Sequence, residues 1–150
     1  FLPGVTNSGL GSNPLLRSGL LLADCERALR GYRIPEGEED GILSAYEAMN
    51  LFLDGTDLVV LSACETGLGE IQNGEGVYGL QRAFQQAGAR AVVISLWKVD
   101  DATTELLMTN FYSHFLKSGD KLMAMTAAQK AVRARFPQPY NWGAFVLTGK

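Results

Sequence analysis

The sequence predicts an α/β domain, a three-layer α/β/α sandwich around a mainly parallel central sheet. Three observations predict it. Two short runs, Asp57–Ala63 and Arg90–Leu96, are rich in apolar and β-branched residues, the pattern of strands buried on both faces. The segment between them sets Val77, Leu80, Phe84 and Ala87 three and four residues apart, on one face of a helix. The succession strand, helix, strand, helix, helix, strand is the order of an α/β fold.

The elements follow in turn. Phe1–Pro14, rich in Gly, Asn, Ser and Pro, reads as a loop, and Gly19–Ala23 as a short apolar strand. Cys25–Asp40 is polar, an exposed insertion with a short helix at its start. Ser44 and Glu47 have capping-box spacing, so a helix runs from Ala45 to Met49, and Asp54-Gly55 turns the chain into the strand Asp57–Ala63. A glycine-rich loop, Gly67–Gly74, precedes the first long helix, and Gly88 stands where its C-terminal cap belongs. After Arg90–Leu96, Asp100-Asp101 puts acids at the favourable end of the next helix dipole. Leu107, Phe111 and Phe115 are the buried stripe of that helix. Gly119-Asp120 ends it and caps a third, whose stripe is Leu122, Met125, Ala128, Val132 and Phe136. Pro137 and Pro139 stop it, and Trp142–Leu147 is the last strand.

A right-handed crossover makes Asp57–Ala63 and Arg90–Leu96 parallel neighbours. Their carboxyl ends then share one edge, where open α/β sheets bind ligands. Cys64 and the pair Asp100-Asp101 lie just beyond that edge. A thiol there becomes a nucleophile when a neighbouring group makes it a thiolate, and is otherwise a buried structural cysteine. Asp100 and Asp101 either cap the helix or offer a carboxylate to a guanidinium.

Composition narrows the function. The 150 residues fit one domain with a sizeable core, and 47% hydrophobic against 19% charged residues describes a folded chain. A net charge of -3 argues against nucleic acid and acidic membrane surfaces. Arg27, Arg30 and Arg33 alternate with acids and read as a solvated face. No apolar run reaches the roughly 20 residues of a membrane span. Two distant cysteines without a secretory signal suggest a reducing, cytoplasmic setting, in which Cys25 is inert and a Cys25–Cys64 disulfide is disfavoured. One histidine and two cysteines do not make a metal site. Gly74-Glu75-Gly76-Val77-Tyr78-Gly79 matches a dinucleotide fingerprint literally, but ten residues separate Gly74 from Ala63, and Glu75 would face a pyrophosphate. With no Gly-Lys-Ser/Thr either, no cofactor is expected.

Four segments carry a family resemblance: Leu61-Ser62-Ala63-Cys64-Glu65-Thr66-Gly67; Gly74-Glu75-Gly76; Ser95-Leu96-Trp97-Lys98-Val99-Asp100-Asp101; and Trp142 to Gly149. With Asn13 to Leu20 upstream, they closely resemble the CHAT domain, a caspase-like cysteine peptidase family related to separase. The resemblance implies a Cys-His dyad with Cys64 as nucleophile. It implies one oxyanion donor at the Cys64 N–H and a second from a glycine after the family's histidine. It implies a protein or peptide substrate cut after a basic residue held by Asp101. Trp97 and Trp142 pack at the sheet end or wall the cleft. Glu65 either holds the loop or raises the thiol pKa. The family's histidine turn would fall before Phe1, so the chain reads as the C-terminal majority of such a domain, its first strands cut away, and is inactive alone. His114 does not substitute: thirteen residues of helix place it about 20 Å from the edge, and it reads as a flank residue of the apolar helix face. The resemblance also implies tetratricopeptide-type repeats in the parent chain, as in bacterial and especially cyanobacterial proteins. The sheet edge left open would pair with a second copy or be covered by Phe1–Pro14. The alternative is a non-enzymatic interaction module on the same fold.

Overall fold

The structure, a computed structural model, describes residues 18–62 and 75–150. The expected loops Phe1–Pro14 and Gly67–Gly74, and with them Cys64 and Glu65, lie outside the described residues. Those that are described fall into two compact units, 18–59 with 75–90 and 60–62 with 91–150.

In the first unit β1 (Gly19–Leu21) pairs antiparallel with β2 (Ile42–Ser44), Gly19 opposite Ser44 and Leu21 opposite Ile42. The short helix expected in the insertion is α1 (Cys25–Leu29); it buries no residue. Its arginines are solvated and paired: Arg27 meets Glu38 at 3.0 Å and Asp24 at 3.4 Å, and Arg30 meets Glu26 at 3.3 Å. Surface pairs of this kind contribute little to stability. Helix α2 (Ala45–Ala48) opens with the expected capping box: the Glu47 amide donates to Ser44 Oγ at 3.2 Å, and the Ser44 amide donates to Glu47 Oε2 at 2.8 Å. Helix α3 (Glu75–Gln86) buries Leu80, Ala83 and Phe84, with Ala87 just beyond its end. Gly88 follows at φ +112°, and a Cβ there would lie 2.6 Å from Asp54 Oδ1 and 2.8 Å from Asp54 N. Only glycine fits that turn.

In the second unit, which takes β3 (Val59–Leu61) from Val60 on, β4 (Ala91–Ser95) lies between β3 and β5 (Phe145–Gly149). All five β4 residues are buried, as its unbroken apolar run requires. β5 runs antiparallel to β4, with Ser95 opposite Phe145 and Ala91 opposite Gly149. β4–β5, like β1–β2, is thus antiparallel. For β5 the cause lies in the connection. Helix α4 (Asp101–Ser118) leads away from the end of β4, and α5 (Lys121–Arg135) brings the chain back, so β5 starts where β4 stops. The Leu96 amide donates to Ala144 O at 2.8 Å across that end.

Helix α4 buries Thr103, Leu107 and Phe111, and Phe115 stacks on Phe111 with ring centres 5.9 Å apart. Gly119, at φ +71°, ends it, and the Asp120 carboxylate accepts from the Met123 amide at 2.8 Å to start α5. The α5 stripe is Ala124, Met125, Ala128 and Val132. Leu122, expected within it, is 70% exposed. The buried set centres on Ala128 and Val132, and Leu122 lies about 100° around the helix from that centre. Pro139 opens a short helix, α6 (Pro139–Trp142), at its first residue, so β5 starts at Phe145 and not at Trp142. No helix among the described residues is long and apolar enough to cross a membrane.

Candidate functional site

The candidate site centres on the turn by which β4 leaves the sheet and α4 begins. Ser95, the last β4 residue, is buried, and its hydroxyl donates to Trp97 O at 2.7 Å. Val99 is buried and anchors the far side of the turn. The Tyr140 hydroxyl, on α6, donates to Lys98 O, and the Trp97 indole N–H donates to Tyr140 O at 2.8 Å. The two rings stack with centres 5.9 Å apart and planes at 27°. Two successive turn carbonyls, at Trp97 and Lys98, are therefore held by side-chain hydroxyls.

Of the two roles open to the aspartates, Asp100 takes the capping one. Its Oδ1 accepts from the Thr103 amide at 2.9 Å, and its Oδ2 accepts from the Thr103 hydroxyl at 2.7 Å. These bonds, the hydroxyl's first, hold the Asp100 carboxyl below the usual carboxylate range. Asp101 is the first residue of α4 and exposed. Among the described residues no hydrogen bond or ion pair engages its carboxylate. One of two adjacent carboxylates is occupied and the other is presented to solvent. A presented carboxylate at a rigid turn suits a guanidinium or ammonium group.

His114 is exposed although it follows Phe111 by three residues, beyond the buried part of the α4 stripe, and its Nδ1 lies 2.8 Å from Asn110 O. Cys25, half-buried at the start of α1, is a free thiol. Trp142 donates from Nε1 to Pro137 O at 3.2 Å, and the Arg133 guanidinium lies 5.5 Å over its ring. No three His, Cys, Asp or Glu side chains form a metal-binding group among the described residues. β3 ends at Leu61 and α3 starts only at Glu75, so the Gly-x-Gly-x-x-Gly match does not join strand to helix directly, as a dinucleotide site requires.

Sequence reasoning missed Tyr140 and Ser95. Pro-Tyr-Asn-Trp after Pro137 reads as a stop signal, yet its aromatic residues mark a packed turn of helix.

Residues 4–150 match the family model of the CHAT domain. Two relatives, both named Tetratricopeptide repeat protein 28, from Homo sapiens and Mus musculus, are each 34% identical over 110 residues, or 72% of this chain. The chain spans 4% of the length of these relatives. They are mammalian where the resemblance pointed to bacteria, and their name carries the repeat type expected beside the domain. The chain belongs to the CHAT domain family.

Proposed function

We propose that this chain is part of a cysteine endopeptidase of caspase-like type that cuts peptide bonds after a basic residue. Cys64 is the nucleophile. Its thiol proton passes to the imidazole that the family resemblance sets before Phe1, because His114 lies thirteen residues along α4 from Asp101, about 20 Å from the sheet edge. The sulfur bonds to the scissile carbonyl carbon. The Cys64 N–H and a second N–H stabilise the oxyanion. The C–N bond then breaks, the amine leaves with the proton from the imidazolium, and water hydrolyses the thioester. The Asp101 carboxylate takes the basic side chain, while Asp100 holds the turn beneath it.

One observation carries this reading. Within the matched motif Leu96-Trp97-Lys98-Val99-Asp100-Asp101, Thr103 occupies Asp100 and leaves the exposed Asp101 carboxylate unengaged. The test treats the parent protein with an arginyl acyloxymethyl ketone and locates the adduct by mass spectrometry. The expected label sits on Cys64, is absent in Cys64→Ala, and falls at least ten-fold in Asp101→Asn. Labelling with a glutamyl probe at an equal rate would refute the pocket. No labelling of a folded parent protein by any such probe would favour the second reading, a non-enzymatic interaction module. The solvent-facing position of the only histidine in these 150 residues is the observation on that side.

A further inference from the structure

Helix α6 has four residues and buries none of them. Tyr140 is 57% exposed. Burial therefore does not explain why its ring and both its polar ends address one turn. Its hydroxyl reaches back 42 residues in the chain to Lys98 O, its own carbonyl accepts the Trp97 indole N–H at 2.8 Å, and its ring stacks on Trp97. Lys98 O is three residues before Asp101. The intervening Val99 is buried, and Asp100 is tied to Thr103. No free residue separates the Tyr140 bond from the start of α4. Movement at Lys98 is thereby transmitted to Asp101 rather than absorbed.

We propose that Tyr140 is a positioning residue for the Asp101 carboxylate, setting through the Lys98 carbonyl and the Trp97 stack how tightly the site holds a basic substrate side chain. This rests on the reading of Asp101 as the group that meets that side chain. Tyr140 itself touches no reacting atom. It removes alternative positions of the turn, so that the carboxylate loses little freedom when a planar guanidinium pairs with it.

The test titrates this chain with Nα-acetylarginine amide and with Nα-acetylcitrulline amide, its neutral isostere, following the Asp101 amide by NMR. Wild type is expected to favour the arginine compound, and Asp101→Asn to abolish that preference. Tyr140→Phe removes only the hydroxyl and is expected to weaken arginine binding on the order of five-fold, with citrulline binding unchanged. Trp97→Phe, which keeps a ring but loses the indole donor, reaches the same result if Tyr140→Phe fails to fold. Amide protection of Val92–Ile94 reports the fold of each variant. An equal fall for both compounds is the mark of a merely structural tyrosine and overturns the proposal. Preference undiminished in Tyr140→Phe but lost in Asp101→Asn also overturns it, and leaves the Asp101 reading standing. Absence of any preference in wild type overturns the Asp101 reading and this inference with it.

Discussion

Thr103→Val isolates the bond that fixes the start of α4. The side chain is fully buried, and valine has nearly the same shape, so the change deletes the hydroxyl without opening a cavity. The lost bond runs from a neutral donor to an ionised acceptor, Asp100 Oδ2, at 2.7 Å. Bonds of that kind are stronger than neutral ones, but the Asp100 carboxylate is exposed, so water screens this one. The methyl that replaces the hydroxyl is buried and returns part of the loss. The net expectation is a fall of a few degrees in Tm at pH 7. The sign of its pH dependence follows from Asp100. The bonds from Thr103 lower its folded pKa below the unfolded value of 3.8. The stability they confer is therefore complete above about pH 5 and disappears as pH falls through the folded pKa. The gap between wild type and Thr103→Val should be full at pH 7 and narrow on acidification below the ordinary carboxylate range. Urea unfolding followed by the fluorescence of Trp97 and Trp142 measures both ends. An equal gap at pH 7 and in acid, or none at pH 7, would show that Asp100 and Thr103 do not act as a charge-assisted cap.

Gly88→Ala forces a Cβ to within 2.6 Å of Asp54 Oδ1 at φ +112°, so thermal unfolding should drop by the equivalent of more than about 1–2 kcal/mol; an unchanged Tm contradicts the turn geometry. Phe111→Ala empties the centre of the α4 stripe and should cost about 3–5 kcal/mol by chemical denaturation. His114→Ala removes an exposed ring bonded only to its own helix. It should leave stability within about 0.5 kcal/mol and thiol labelling of the parent protein unaltered, and a ten-fold slower labelling would return His114 to the chemistry.

Features set by neighbours in sequence were legible, and those set by distant contacts were not. The Ser44–Glu47 box and the Asp120 cap each close over three residues, so spacing alone identifies them. The buried stripe of α3 and the stop at Gly88 follow from a local period and a steric requirement. Leu122 falls outside the buried stripe because a helical period identifies a stripe but not its edges, and burial takes Ala124 and Ala128 instead. The antiparallel β5 depends on a return path through two helices, which no local pattern encodes. At the site, the motif exposed Asp100 and Asp101 as a pair. Only the geometry separates them, because the Thr103 hydroxyl could as well have faced elsewhere on α4. Tyr140 was illegible for the same reason as β5: its partners lie 42 and 43 residues away.

That separation makes the two adjacent carboxylates respond oppositely to one chemical change. Asparagine keeps a side-chain oxygen that accepts an N–H, and it ranks with aspartate as an N-cap. Asp100→Asn therefore still accepts from the Thr103 amide, and the turn and α4 keep their positions. It gives up the charge, but that charge is already spent on the cap. Asp101→Asn leaves the cap untouched and removes the exposed negative charge at the start of α4. With the arginine and citrulline amides as paired ligands, Asp100→Asn should retain the discrimination and Asp101→Asn should lose it. Neither should shift Tm by more than a few degrees. The opposite pattern, discrimination lost in Asp100→Asn with α4 still folded, would mean that Asp100 leaves Thr103 to meet the ligand, and the two aspartates would have to exchange roles.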